Sequence, residues 1–259
     1  MHEKLRLWDE QAAAAAAKRP LKGLKQLPKM VGITTGARRF LKGKSLLWMV
    51  RHDQGGRVFR EILRHPVRYF LGYMRALWRG KAYERDGDFF FYGIDGEKAF
   101  RQELQKKETL PVLGFSYCHK PFECPSGRFN DQCIHDPNHR VCQQCFIGKA
   151  ANLIPNVHLF IIPTIHYIGE KMLKLKHQNP NRKLLFAITA CELTLEMFGD
   201  WGNMAALRGI GIRLDGRICN TMQAFALSER GIKPGLTVVT EATQARLLRL
   251  FLPDTFPLT

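Results

Sequence analysis

The sequence predicts an α/β fold: a small parallel sheet with helices on both faces, bearing a cysteine-rich metal-binding loop and preceded by a basic, mainly helical N-terminal region. Three observations carry this. From residue 157 onward, apolar runs of strand length alternate with segments of helical period. Five of the seven cysteines fall within residues 118 to 145. Of a formal net charge of +17, residues 1 to 90 hold +12, from 20 Lys or Arg against 8 Asp or Glu. The chain divides near residue 95 into a basic helical region, 1–95, and a cysteine-rich α/β domain, 96–259. At 259 residues it can bury a core without disulfides in place of one.

The opening "MHEKLRLWDEQAAAAAAKRPLKG" reads as a short helix ended by Pro20, not as a secretory signal, because Glu3, Asp9 and Glu10 precede weakly apolar alanines. The clearest N-terminal helix spans residues 66 to 79, with Pro66 suited to a first helical position and Gly80 to a C-terminal cap. On it Val67, Phe70, Met74, Leu77 and Trp78 fall at helical spacing, with Arg68, Arg75 and Arg79 away from them. Two readings stand: a helix packed on the neighbouring domain, or one lying in a membrane interface.

Residues 111 to 148 show no sustained period and read as a loop that something must organise. Then follow a buried strand "VHLFIIP", a helix "IHYIGEKMLKLKHQ", a strand "KLLFAIT", a helical stretch "CELTLEMFGDWGNMAAL", a strand "GIGIRL" and a helix "NTMQAFALSER" before "GLTVVT". Strand, helix, strand with short connections implies crossovers and a parallel sheet. Cys191, at the start of a helix, and Cys219, shortly after "GIRL", are expected near the C-terminal edge of that sheet, where open α/β folds bind ligands. A thiol at a helix N-terminus also has its thiolate favoured.

The clustered cysteines are spaced Cys118-x5-Cys124-x8-Cys133-x8-Cys142-x2-Cys145. The two-residue gap of Cys142 and Cys145 lets one turn present two thiolates to one metal, and further ligands would complete a tetrahedral zinc or the shell of an iron–sulfur cluster. Candidate metal ligands are Cys118, Cys124, Cys133, His139, Cys142, Cys145, Cys191 and Cys219; His139 stands three residues before Cys142. A redox dithiol at Cys142 and Cys145 is the alternative, but such a motif expects a strand leading into it. His158 and His166, flanking an apolar strand, read as core or edge residues. Glu192 reads as a first-turn helix acid on the ligand edge, and Asp215 as a turn former.

"CQQCFIGKAANLIPNVHLFIIP", "LLFAITACELTLEMFG" and "GIRLDGRICNT" together resemble the prokaryotic cysteine-rich family catalogued as domain of unknown function 116, over roughly residues 110 to 240. The resemblance implies a cytosolic α/β domain whose cofactor-binding cysteines match Cys118, Cys124, Cys142, Cys145 and Cys191. Where the family run carries three cysteines at two-residue gaps, this chain has His139 at the first. The family has no settled activity, so the resemblance names no reaction.

No stretch of 18 apolar residues is present, and no phosphate loop, nucleophile elbow, HExxH or kinase set occurs. The expectation is a cytoplasmic metal-binding protein holding an iron–sulfur cluster or zinc, with redox chemistry within reach. A peripheral place at the inner face of the membrane rests on its basic third alone, whose expected partner is an anionic membrane surface in preference to nucleic acid. The competing expectation is a non-catalytic, zinc-stabilised adaptor docking on such a surface or on nucleic acid.

Overall fold

The strand Thr109–Ser116, whose larger part the sequence places in an irregular segment, runs between two parallel neighbours in the computed structural model. The structure describes residues 32–53, 55–78, 83–216, 218–233 and 235–253. The helix expected to end at Pro20, and the cap expected at Gly80, lie outside these.

In chain order the elements are helices α1 (Thr35–Arg51), α2 (Arg57–Arg64) and α3 (Pro66–Trp78), strands β1 (Glu84–Asp86) and β2 (Phe89–Tyr92), and helix α4 (Gly96–Leu104). After β3 (Thr109–Ser116) and a 3₁₀ turn (Tyr117–His119) come α5 (Arg140–Gln144), α6 (Phe146–Leu153), β4 (His158–Ile162), α7 (Ile165–Gln178) and β5 (Lys183–Ala190). The chain continues with α8 (Glu192–Met204), β6 (Arg208–Arg213), β7 (Asp215–Gly216), α9 (Met222–Ser228), β8 (Thr237–Val238) and α10 (Glu241–Phe251).

Among the described residues, six strands form one sheet in the order β1-β2-β6-β5-β3-β4, while β7 and β8 pair separately. β4, β3, β5 and β6 are parallel neighbours, but β2 runs antiparallel to β6 and to β1. The sheet is therefore mixed, which corrects the expectation of a parallel one. The cause is local: Gly87, at φ +59°, reverses the chain so that Asp86 pairs with Phe89, and so tight a turn can only join antiparallel strands. The "FFFY" of β2 is buried throughout, which ties this hairpin to the sheet within a stretch expected to be helical. Pro111 is accommodated in β3 because β4 begins to pair only at Val112, leaving one partner strand at that point.

Alternation along the strands builds a core on each face. Phe90 and Tyr92 of β2 join Phe186 and Ile188 of β5 in a core closed by α1, α3, α7 and α8; Phe89 and Phe91 join Leu113 and Phe115 of β3 under α4, α6 and α10. Phe186 and Ile188 have no exposed surface, and each such side chain contributes about 1.5–3 kcal/mol. α2 and α3 break at His65 because Pro66 cannot continue a helix, and α3 then crosses α8 closely. At the crossing a Cβ on Gly72 would stand 2.4 Å from the carbonyl oxygen of Met204.

β4 and β5 lie on opposite sides of β3. The C-terminal ends of β3 and β5 thus form a topological switch point, the place where open α/β sheets leave a crevice for ligands.

Candidate metal centre

Both strands at the switch point lead into cysteine. The 3₁₀ turn after β3 carries Cys118, whose backbone N–H donates to Ser116 Oγ over 3.3 Å. Cys191 stands between β5 and α8 with its sulfur 3.2 Å from Thr194 Oγ1. Cys219, beyond β7, completes a buried trio and accepts a hydrogen bond from Lys233 Nζ at 3.2 Å. The hydrogen bond from Cys191, and then the ammonium of Lys233, hold the Cys219 thiol well below the usual thiol range against the opposing effect of burial. Cys191 keeps its proton to donate to Cys219, which with burial pushes it well up. Burial also raises Cys118, and the three sulfurs outweigh desolvation at Lys233 and raise its ammonium.

The other four cysteines form a second group. Cys124, Cys133, Cys142 and Cys145 line one pocket of about 20 Å³, together with Lys120, His135 and Ile147. Such a volume holds about one water-sized body. Local structure aims the thiols. His139 caps the single turn α5, its Nδ1 accepting from Val141 N at 3.3 Å, and Cys145 both ends α5 and opens α6. The Cys145 sulfur accepts from the backbone N–H groups of Ile147 and Gly148, and the Cys133 sulfur from that of His135. Burial nevertheless raises both thiols.

Lys120 occupies the wall of this pocket with 1% of its surface exposed. Its Nζ donates to Asn130 Oδ1 at 2.8 Å and to the carbonyl of Gln132 at 2.9 Å, and its charge is felt by Cys124, Cys133 and Cys145. Burial lowers its ammonium, opposed by those sulfurs and by the Asp131 carboxylate. His135 Nδ1, buried in the same lining, has no hydrogen-bond partner, whereas its Nε2 lies 2.8 Å from Asn152 Oδ1.

The structure thus divides the candidate ligands. Cys133 joins Cys124, Cys142 and Cys145; Cys118 does not line their pocket but lies near Cys219 and shares the ammonium of Lys233 with Cys219 and Cys191. His139 also stays out of the lining, its Nδ1 committed to the cap. Among the described residues, no group of three or more His, Cys, Asp or Glu side chains stands ready to hold a metal ion. A zinc with Zn–S bonds of about 2.3 Å would therefore have to draw the four thiols together.

Glu192 opens α8 as expected, yet it is buried and shares Arg213 with Asp88 and Asp215. Arg213 Nε lies 3.2 Å from Asp88 Oδ1, Nη1 3.4 Å from Glu192 Oε2 and Nη2 3.7 Å from Asp215 Oδ1. Arg85 adds a contact of 3.0 Å to Glu192 Oε1. Asp215 belongs to β7 and to this ion cluster, a correction to its reading as a turn former. His158 is an exposed strand end and His166 Nε2 donates to the Met49 carbonyl at 2.7 Å, as edge and core residues should. A wider cleft of about 610 Å³ between α2 and α7 contains no cysteine.

Sequence reasoning passed over Lys120 and Lys233, and weighed His135 only as an individually weak ligand among the cysteines. Nothing in the spacing of the two lysines marks them, because their role rests on being carried beside sulfur by distant loops. Comparison of the chain with protein-family models, with curated proteins and with solved structures returned no match.

Proposed function

We propose that the chain is a metal-binding protein whose centre is held by Cys124, Cys133, Cys142 and Cys145. The observation that supports this is the convergence of four thiols on one pocket with the buried ammonium of Lys120. An ammonium withdrawn from water is costly unless negative charge faces it. Amide oxygens and neutral thiols supply little and the Asp131 carboxylate supplies part; thiolates ligating a metal would add negative charge on the sulfur side.

Four thiolates complete a tetrahedral zinc site and also the shell of an iron–sulfur cluster, but a pocket of about 20 Å³ is of a size for a single ion, and a cluster would have to open it. Zinc would fix the loop, and a cluster would add one-electron chemistry. The chain's own part is to orient the sulfurs: the N–H groups of Ile147 and Gly148 on Cys145, and of His135 on Cys133, hold those side chains toward the pocket. The resemblance to the cysteine-rich family points to the same chemistry through Cys124, Cys142 and Cys145, while the geometry adds Cys133 and sets Cys118 and Cys191 apart.

The test is metal analysis and absorption of protein purified without oxygen. Zinc or iron bound near one centre per chain supports the reading, with visible absorption identifying a cluster. Metal-free protein that is fully folded contradicts it.

A second reading rests on Cys219, which sits beside Lys233 Nζ and the Cys191 thiol. This is the arrangement of a dithiol pair and not of the Cys142–Cys145 pair considered from sequence. Mass mapping of disulfides after mild oxidation tests it: a Cys191–Cys219 bond supports it, and unchanged thiols there refute it.

A further inference from the structure

α3 is turned the wrong way round for a helix whose apolar side chains belong to the core. Its inner face is made by Tyr69, buried, and Gly72, which touches the backbone of α8. Val67, Leu71 and Trp78 lie one above another at spacings of four and seven residues, beside Phe70, on the outer face. Val67 is 69% exposed, Phe70 62% and Trp78 83%. Of the eleven exposed large apolar side chains among the described residues, eight lie between residues 47 and 78. Scattered exposed apolar residues need no explanation, but a contiguous helical stripe of them marks an interaction surface.

The charge around the stripe selects its partner. Residues 47 to 78 contain six arginines, no lysine and two acids. Of these acids Glu61 is buried, and Asp53, half-buried, accepts from the backbone N–H of Phe59 at 3.1 Å; Asp131 and Glu170 border Arg60 and Arg64 across the cleft beside α7, but Arg51 and Arg68 do not line it. Arg51, Arg60, Arg64 and Arg68 are all exposed. A second copy of the chain would bring one arginine face against another. Residues 1 to 31 are themselves basic, with seven Lys or Arg against three Asp or Glu, and so are a poor cover for this face. Nucleic acid would satisfy the arginines, but not a stripe of aliphatic side chains.

The geometry points to the outer face of α3, with the adjoining ends of α1 and α2, as a docking surface for an anionic lipid bilayer. The apolar stripe enters the headgroup boundary, Trp78 sits at headgroup depth, and the arginines meet lipid phosphates and anionic headgroups. This is independent of the metal centre, because no cysteine lies in residues 47 to 78.

The experiment uses the full chain with vesicles of phosphatidylcholine alone or with phosphatidylglycerol added, sedimented at low and high salt. The chain should sediment with the anionic vesicles, less at high salt, with its tryptophan emission moving to shorter wavelength. That shift should vanish in Trp78→Phe. The double variant Phe70→Glu with Trp78→Glu should lose binding on the order of tenfold or more, while its thermal unfolding matches the wild type because both positions are exposed. Substituting Gln at Arg60, Arg64 and Arg68 should remove the preference for anionic vesicles. Three outcomes would overturn the proposal: no sedimentation even at low salt, unchanged binding by the Phe70 and Trp78 double variant, or a concentration-dependent dimer that this variant dissociates without any vesicle binding.

Discussion

The carbonyl oxygen of Cys142 lies where a side chain on Gly148 would begin: a Cβ there would stand 2.6 Å from it. Gly148 lies in the first turn of α6, so alanine would ordinarily favour the helix. Here contact with backbone decides the sign, because the turn joining Cys142 to Cys145 cannot yield without moving both thiols. Gly148→Ala should destabilise the protein by about 1–3 kcal/mol and reduce bound metal. Denaturant unfolding and metal analysis check the two effects.

Lys120 separates a metal centre from four idle thiols. If the sulfurs are thiolates around a metal, Lys120→Met removes a compensating charge and should weaken metal retention against a chelator several-fold. If they are protonated thiols, the same change replaces a buried ammonium by an apolar side chain of similar length and should leave stability unchanged or raise it. Chelator competition on the wild type and the variant distinguishes these.

Arg213 contacts three buried carboxylates at once, those of Asp88, Glu192 and Asp215, over 3.2–3.7 Å, while Arg85 and Arg38 reach Glu192 alone. Arg213→Met should cost about 3–5 kcal/mol, since it strands buried carboxylates. Arg213→Lys should recover only part of this, because an ammonium cannot reach three partners as a guanidinium fork does. Chemical denaturation of both variants measures the difference.

Glu229 supplies a pH dependence. Burial pushes its carboxyl up to about 8, although Oε2 accepts from the backbone N–H of Ile165 at 3.0 Å. With its folded-state value raised, the folded protein holds a proton that the unfolded chain releases. The associated stability is fully present below the unfolded value of about 4.3 and is lost as pH rises through about 8. Glu229→Gln should therefore gain on the wild type between those limits, and the gap should close at low pH. Thermal unfolding at several pH values across that range tests it.

The regular half of the fold was legible because each of its elements carries its own period. The helix expected from "IHYIGEKMLKLKHQ" is α7, Ile165–Gln178, and the strands expected from "KLLFAIT" and "GIGIRL" are β5 and β6. β3 was obscured by Pro111 and by its fusion to the cysteine segment, although it organises the sheet. The hairpin had a signal, the two-residue loop Gly87-Asp88, in a region read as mainly helical. The site was legible as a set of residues and not as a partition. Spacing shows that Cys142 and Cys145 can meet, but whether Cys118 turns toward Cys124 or Cys219 depends on the 3₁₀ turn after β3, and thus on tertiary packing.

The most direct test of the account is the metal content per chain of Cys133→Ser beside that of Cys118→Ser, both purified without oxygen and compared with the wild type. Cys133 lines the four-thiol pocket and Cys118 does not. The account predicts that Cys133→Ser loses most of the bound metal while Cys118→Ser keeps it. Loss in Cys118→Ser with retention in Cys133→Ser would contradict it.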